Sequence, residues 1–208
     1  MTIRTLFLIA ALALLSACSS PAGAPAEPPL AGARIGGAFD LVDQDGRAFT
    51  DADLKGKYAI VYFGYSYCPD VCPVDLQKLM RGLAAFRKTA PDAAANVRPV
   101  FITIDPQRDT PAVLKAFVAG FGEGLIGLTG TPSQVDRAAK AYVVVYQKRE
   151  GSAPDAYLMA HSQLAYLMGP DGKPIALLPI DDPSTDVDEG APALVAAELA
   201  RWVKPAGR

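Results

Sequence analysis

The sequence has 208 residues, half of them apolar, with 20 basic against 22 acidic residues and a formal net charge of -2. That composition suits one globular domain with a sizeable core and a short appendage. No lysine or arginine run disturbs the balance, so nothing electrostatic favours nucleic acid or an anionic membrane surface as a partner.

The first residues read as an export signal. Arg4 supplies a positive start, Leu6 to Leu15 (LFLIAALALL) follow as an apolar stretch, and Leu15-Ser16-Ala17-Cys18 close it with small side chains. The stretch falls short of the roughly 20 apolar residues a transmembrane helix needs. The ending LSAC resembles a bacterial lipobox, which implies a lipoprotein signal peptide over residues 1–17, cleavage before Cys18 and a lipid on that cysteine. The plainer alternative is an ordinary signal peptide with an incidental cysteine. Residues 18–34, rich in Ala, Pro and Gly, cannot bury enough surface to order themselves and read as a tether.

The folded domain is expected over residues 35–208. FDLVDQDGRAFT carries two short extended pieces around a Gln-Asp-Gly turn, a hairpin signature. Tyr58 to Tyr65 is a buried-strand candidate, Val74 to Lys88 has apolar residues at helical spacing, and Val97 to Ile104 is a second strand. Thr110-Pro111 opens a helix to about Gly120, Leu125 to Leu128 is a short strand, and Thr131-Pro132 opens another helix. Tyr142 to Gln147 reads as extended. Gln163 to Met168 and Pro174 to Leu178 flank the turn GPDGK as a hairpin, and Ala191 to Val203 closes the chain as a helix. This order predicts an α/β domain with a mixed central sheet flanked by helices, the order of a thioredoxin-like fold.

The stretch GYSYCPDVCPVDL places Cys68 and Cys72 four positions apart, between a strand and a helix. A helix N-terminus stabilises a thiolate, and i, i+4 positions on a helix share a face. The pair can serve as a redox couple, as metal ligands or as a structural disulfide. Three intervening residues, against the two usual in thioredoxin-like reductases, tilt the reading toward metal without excluding redox. If Cys18 is lipidated, these two are the remaining thiols of an exported chain, where disulfides persist. The single histidine, His161, stands just before a predicted strand, which brings it to a sheet edge where ligand loops gather. Two thiolates and an imidazole suit copper, Cu(I) or Cu(II). Structural zinc usually takes four protein ligands, which Asp70 or a water would have to complete.

GYSYCPDVCP, TIDPQRDTP (Thr103 to Pro111) and AYLMAHSQLAYLMGPDG resemble, in order, the three signature segments of the Sco/SenC family. The resemblance implies a copper-binding thioredoxin-like domain, anchored outside the cytoplasmic membrane, that helps build the binuclear CuA centre of cytochrome c oxidase. It puts the metal ligands on Cys68, Cys72 and His161, and the partners are then an oxidase subunit carrying the CuA site, a periplasmic copper donor and a thiol reductant. An oxidase partner favours the inner membrane, whereas Ser19 after the lipidated cysteine permits sorting to an outer one. The family commonly has an acidic residue before the histidine, where this chain has Ala160, so a carboxylate is not expected to orient or tune the imidazole, and copper affinity is expected to be lower or differently pH-dependent, with no ligand lost. Thioredoxins carry a cis-proline near this position, and none occurs from Asp155 to Gly169, which again favours metal over general disulfide reduction.

The competing functions are a metallochaperone, a thiol-disulfide oxidoreductase using Cys68 and Cys72 as its redox pair, and, more weakly, a thiol peroxidase. Within TIDPQRDTP, Thr110, Pro111 and Asp109 suit a helix start, Arg108 a local ion pair, and Asp105 the lining of the site or a partner surface. Tyr62, Phe63, Tyr65 and Tyr67 are either core on alternate positions or an exposed docking patch.

Overall fold

A computed structural model describes residues 27–151, 156–182 and 184–205. The export signal, Cys18 and most of the tether lie outside the described residues. Among those described, no helix is long and apolar enough to cross a membrane.

The central strand β3 (Tyr58–Gly64) is apolar without alternation, as a strand covered on both faces must be. It runs parallel to β4 (Val97–Thr103), which runs parallel to β5 (Ile126–Thr129). The hairpin of β1 (Asp40–Asp43) and β2 (Ala48–Thr50) adds antiparallel to β5. On the other side β8 (Ala165–Met168) lies antiparallel to β3, with β9 (Pro174–Leu178) outside it. The sheet order is therefore β2-β1-β5-β4-β3-β8-β9. A mixed sheet flanked by helices is what the sequence predicts.

The crossovers are α1 (Val71–Thr89), the short α2 (Pro91–Ala94) and α3 (Pro111–Ala119). Registered neighbours Tyr62, Phe101 and Gly127 share one face, which α1 and α3 cover: Tyr62 bonds Asp75 of α1, and Phe101 packs on Phe117 of α3. On the opposite face Phe63 meets Tyr142 at the end of α4 (Pro132–Ala141). The last helix, α5 (Pro192–Trp202), lies against α1 so closely that a Cβ on Gly82 would fall 2.5 Å from Val195. Thr110 and Thr131 accept from the backbone three residues on, as expected of caps ahead of Pro111 and Pro132. Ordered packing begins ahead of Ile35, with the Leu30 N–H donating to the Ile175 carbonyl.

Two segments leading to His161 depart from the sequence reading. Tyr142 to Val145 is not extended: Tyr142 caps α4, and Val143, at φ 57°, turns the chain while the Val144 N–H returns to the Ala139 carbonyl. Tyr142 and Val144 are apolar because they are buried, not because they form a strand. Strand pairing starts later, between β6 (Tyr146–Arg149) and β7 (Leu158–His161), an antiparallel ribbon separate from the main sheet. His161 thus ends a strand of its own, where the sequence suggested a loop.

Candidate metal and redox site

The site is built from two arms at the C-terminal edge of β3 and β4. The first carries the cysteines. Beyond Gly64 the chain turns through Tyr65 to Cys68 before α1 begins. Gly64 is required by contact, because a Cβ there would stand 3.1 Å from the Cys72 sulfur and 3.0 Å from the Phe101 ring. Ser66 is held by Asp109, which accepts from its N–H at 3.0 Å and from its hydroxyl. The Thr103 hydroxyl donates to the same carboxylate.

Both cysteines are free thiols, Cys72 fully buried and Cys68 half-exposed. Cys68 lies outside the helix, so the pair does not share a helix face as two residues of α1 would. It meets Cys72 instead by acting as a cap: the Cys72 N–H points at the Cys68 sulfur, 3.5 Å away, while Asp70, at the formal cap position, makes no side-chain cap bond. A hydrogen bond from the Cys72 thiol holds the Cys68 thiol down to about 5; burial opposes this, and the Asp70 and Cys72 amides assist. Cys72 moves the other way, pushed up by that same bond to Cys68 and by its burial. One proton serves the pair and stays on the buried sulfur. The Tyr62 hydroxyl donates to the Asp75 carboxylate at 2.8 Å. Burial, opposed by that hydrogen bond, raises the Asp75 carboxyl above its ordinary value.

The second arm is the ribbon. At its end the His161 Nδ1–H donates to the Ser162 carbonyl at 2.9 Å, which leaves Nε2 as the bare nitrogen, 3.4 Å from the Cys72 sulfur. The group orienting the imidazole is therefore the main chain one residue on, and the missing carboxylate at Ala160 is not needed for that task. Tyr65 stands edge-on to the ring. Cys72 is the neighbour common to Cys68 and His161. Among the described residues no three such side chains stand in a closed metal-binding arrangement, so the cluster has to contract around an ion to ligate it.

TIDPQRDTP links the arms. Thr110 caps α3 as expected, but the Asp109 carboxylate turns inward to Ser66 and Thr103, not toward the helix N-terminus, and burial pushes its pKa up. Asp105 accepts from the Tyr157 hydroxyl at 2.7 Å and from Arg108. Ser66 and Tyr157 escaped the sequence reading; the signal available was a Thr-x-Asp-x-x-x-Asp spacing at a strand end, which requires buried donors nearby. Of the four aromatic residues, Tyr62, Phe63 and Tyr65 are core, and Tyr67 is 52% exposed.

A thioredoxin-like sheet that presents a half-exposed thiol, a buried thiol and an imidazole at one edge defines a domain equipped for soft-metal binding and thiol exchange. The chain belongs to the SCO1/SenC family, whose model matches residues 27–195. It is 48% identical over 140 residues to Protein SenC of Rhodobacter capsulatus, covering 67% of this chain and 61% of that protein. It is 44% identical over 146 residues to the mitochondrial Protein SCO1 homolog 1 of Arabidopsis thaliana, covering 70% of this chain and 42% of the relative. The chain thus spans less than two thirds of either protein. Among solved structures it resembles ScoI of Bradyrhizobium japonicum with copper bound, at TM-score 0.70 and 38% identity, covering 81% of this chain and 99% of that one.

Proposed function

We propose that this protein is a membrane-anchored copper metallochaperone, residues 35–208 holding one copper through Cys68, Cys72 and His161 and assisting assembly of the CuA centre of cytochrome c oxidase. The observation that carries this reading is the bare Nε2 of His161 at 3.4 Å from the Cys72 sulfur, with Nδ1 committed to a carbonyl. Two thiolates select a soft ion, and the imidazole accommodates Cu(II) as well as Cu(I). Transfer proceeds by exchange of ligands: partner thiolates replace Cys68, Cys72 and His161 one at a time. The copper-bound ScoI relative supports the choice of metal.

The test is an anaerobic copper titration of the reduced protein beside His161→Ala. One copper per chain is expected, held at least about tenfold more weakly in the variant. Equal stoichiometry and affinity in the variant would sink the three-ligand site.

A second reading rests on the pairing of a half-exposed Cys68 thiol near 5 with a buried, protonated Cys72. That division suits a nucleophile and a resolving thiol. Cys68 thiolate attacks a partner disulfide and forms a mixed disulfide, releasing one partner thiolate; Cys72 then gives up its proton, which the departing partner sulfur takes, attacks Cys68 and releases the second partner thiol. The partner gains two electrons and this protein ends as a Cys68–Cys72 disulfide. The oxidase copper ligands must be thiolates before metal enters, so both activities fit one partner. His161→Ala spares this reaction.

For location, a lipid on Cys18 would hold the domain at the periplasmic face of the inner membrane. Cys18→Ser is expected to release the protein from the membrane fraction; a variant that still sediments with membranes would exclude the lipid anchor.

A further inference from the structure

His161 depends on a weak element. Among the described residues the β6–β7 ribbon pairs with no other strand, its strands are mostly exposed or half-buried, and a lone two-stranded ribbon is marginal in water. Tyr146 and Met159 rest on the core, and the polar anchor lies at the start of β7. Tyr157 is buried, its hydroxyl donates to Asp105, and its carbonyl accepts from Arg108 Nη1 at 3.0 Å. The Arg108 guanidinium lies 3.6 Å from the centroid of the Tyr157 ring, and the Lys148 ammonium lies 3.8 Å from it. Arg108 also pairs with Asp105 and stands 4.8 Å from the Tyr67 ring, next to Cys68. One mostly buried cation therefore touches the base of the histidine strand, the end of β4 and the cysteine loop.

The geometry points to Arg108 as a positioning residue for copper, acting through Tyr157 and Tyr67 to set the separation of His161 from the cysteine pair. The planar guanidinium matters here: it stacks on Tyr157 while its edge donates to the Tyr157 carbonyl and to Asp105, a combination an ammonium cannot reproduce. Without it the three ligands persist, but the ribbon swings and the imidazole no longer meets the sulfurs at one distance. The inference rests on the Cys68, Cys72 and His161 site proposed above.

The test uses the full chain, reduced and then loaded with one equivalent of copper(II), as wild type, Arg108→Ala, Arg108→Lys, Tyr157→Phe and His161→Ala. Arg108→Ala is expected to move the thiolate-to-copper absorption and the EPR hyperfine splitting toward those of His161→Ala and to weaken copper retention by about tenfold. Arg108→Lys should behave like the alanine variant. Tyr157→Phe keeps the ring stack and loses only the bond to Asp105, so it gives a smaller shift in the same direction. It decides the question if Arg108→Ala does not fold. A wild-type spectrum and retention in folded Arg108→Ala, or in Tyr157→Phe if the former does not fold, overturns the inference while His161→Ala remains altered. If His161→Ala also matches wild type, the imidazole is no ligand and the copper-site reading itself fails.

Discussion

The cysteine arm and the histidine arm meet at one site but are supported differently. Cys72 sits in the first turn of a long helix packed on the sheet and on α5, and the loop before it is anchored by the buried Asp109 carboxylate. His161 ends a four-residue strand whose pairing partner is another exposed four-residue strand. The two sulfurs therefore form the fixed half of the site and the imidazole the adjustable half. On the proposed copper site, such a division would suit transfer, since loss of the imidazole would leave Cys68 and Cys72 to hold the ion while a partner thiolate entered.

Hydrogen exchange offers the widest separation. Amides of β3, paired on both sides within the sheet, exchange only when the domain unfolds, whereas those of β6 and β7 exchange through local opening of the ribbon. Protection in β3 should exceed that in the ribbon by about three orders of magnitude, the equivalent of roughly 4 kcal/mol in opening free energy. Comparable protection in the two would dissolve the distinction between a fixed and an adjustable arm.

The same contrast governs what was readable in the sequence. β3, YAIVYFG, is apolar at successive positions because both faces are covered, and the Thr-Pro starts of α3 and α4 declare themselves through capping chemistry. The ribbon strands, YQKR and LMAH, show little alternation because each sends a single apolar side chain, Tyr146 or Met159, against the core, too few for a period to register. Pro73 made α1 look as if it began at Val74, yet a proline is tolerated in the first turn, and the observed start at Val71 brings Cys72 inside the helix. The three proposed ligands were legible from residue type and spacing. Their support was not: Asp109 to Ser66 spans 43 positions and Arg108 to Tyr157 spans 49, and nothing local in the chain announces such bonds.

A smaller effect tests which arm sets the chemistry of Cys68. With its thiol near 5, Cys68 is a thiolate throughout neutral pH. Against an ordinary thiol of pKa about 9 at pH 6.5, that raises the thiolate fraction by roughly 300-fold, but lower basicity cuts intrinsic nucleophilicity by about 40- to 100-fold. The two nearly cancel, leaving alkylation only a few-fold faster than normal, so the absolute rate discriminates poorly. The pH profile does better. A lowered pKa means the reactive form is lost as pH falls through the folded-state value, so the rate in copper-free reduced protein should be flat from pH 8 to about 6 and halve near 5. The dominant cause is the bond from Cys72, with the Asp70 and Cys72 amides assisting, and His161 ranks behind them. His161→Ala should therefore leave the inflection almost in place, since that part of the chemistry belongs to the fixed arm. An inflection that climbs toward 8 or 9 in the variant would place control of the thiolate on the ribbon and reverse the assignment of the two arms.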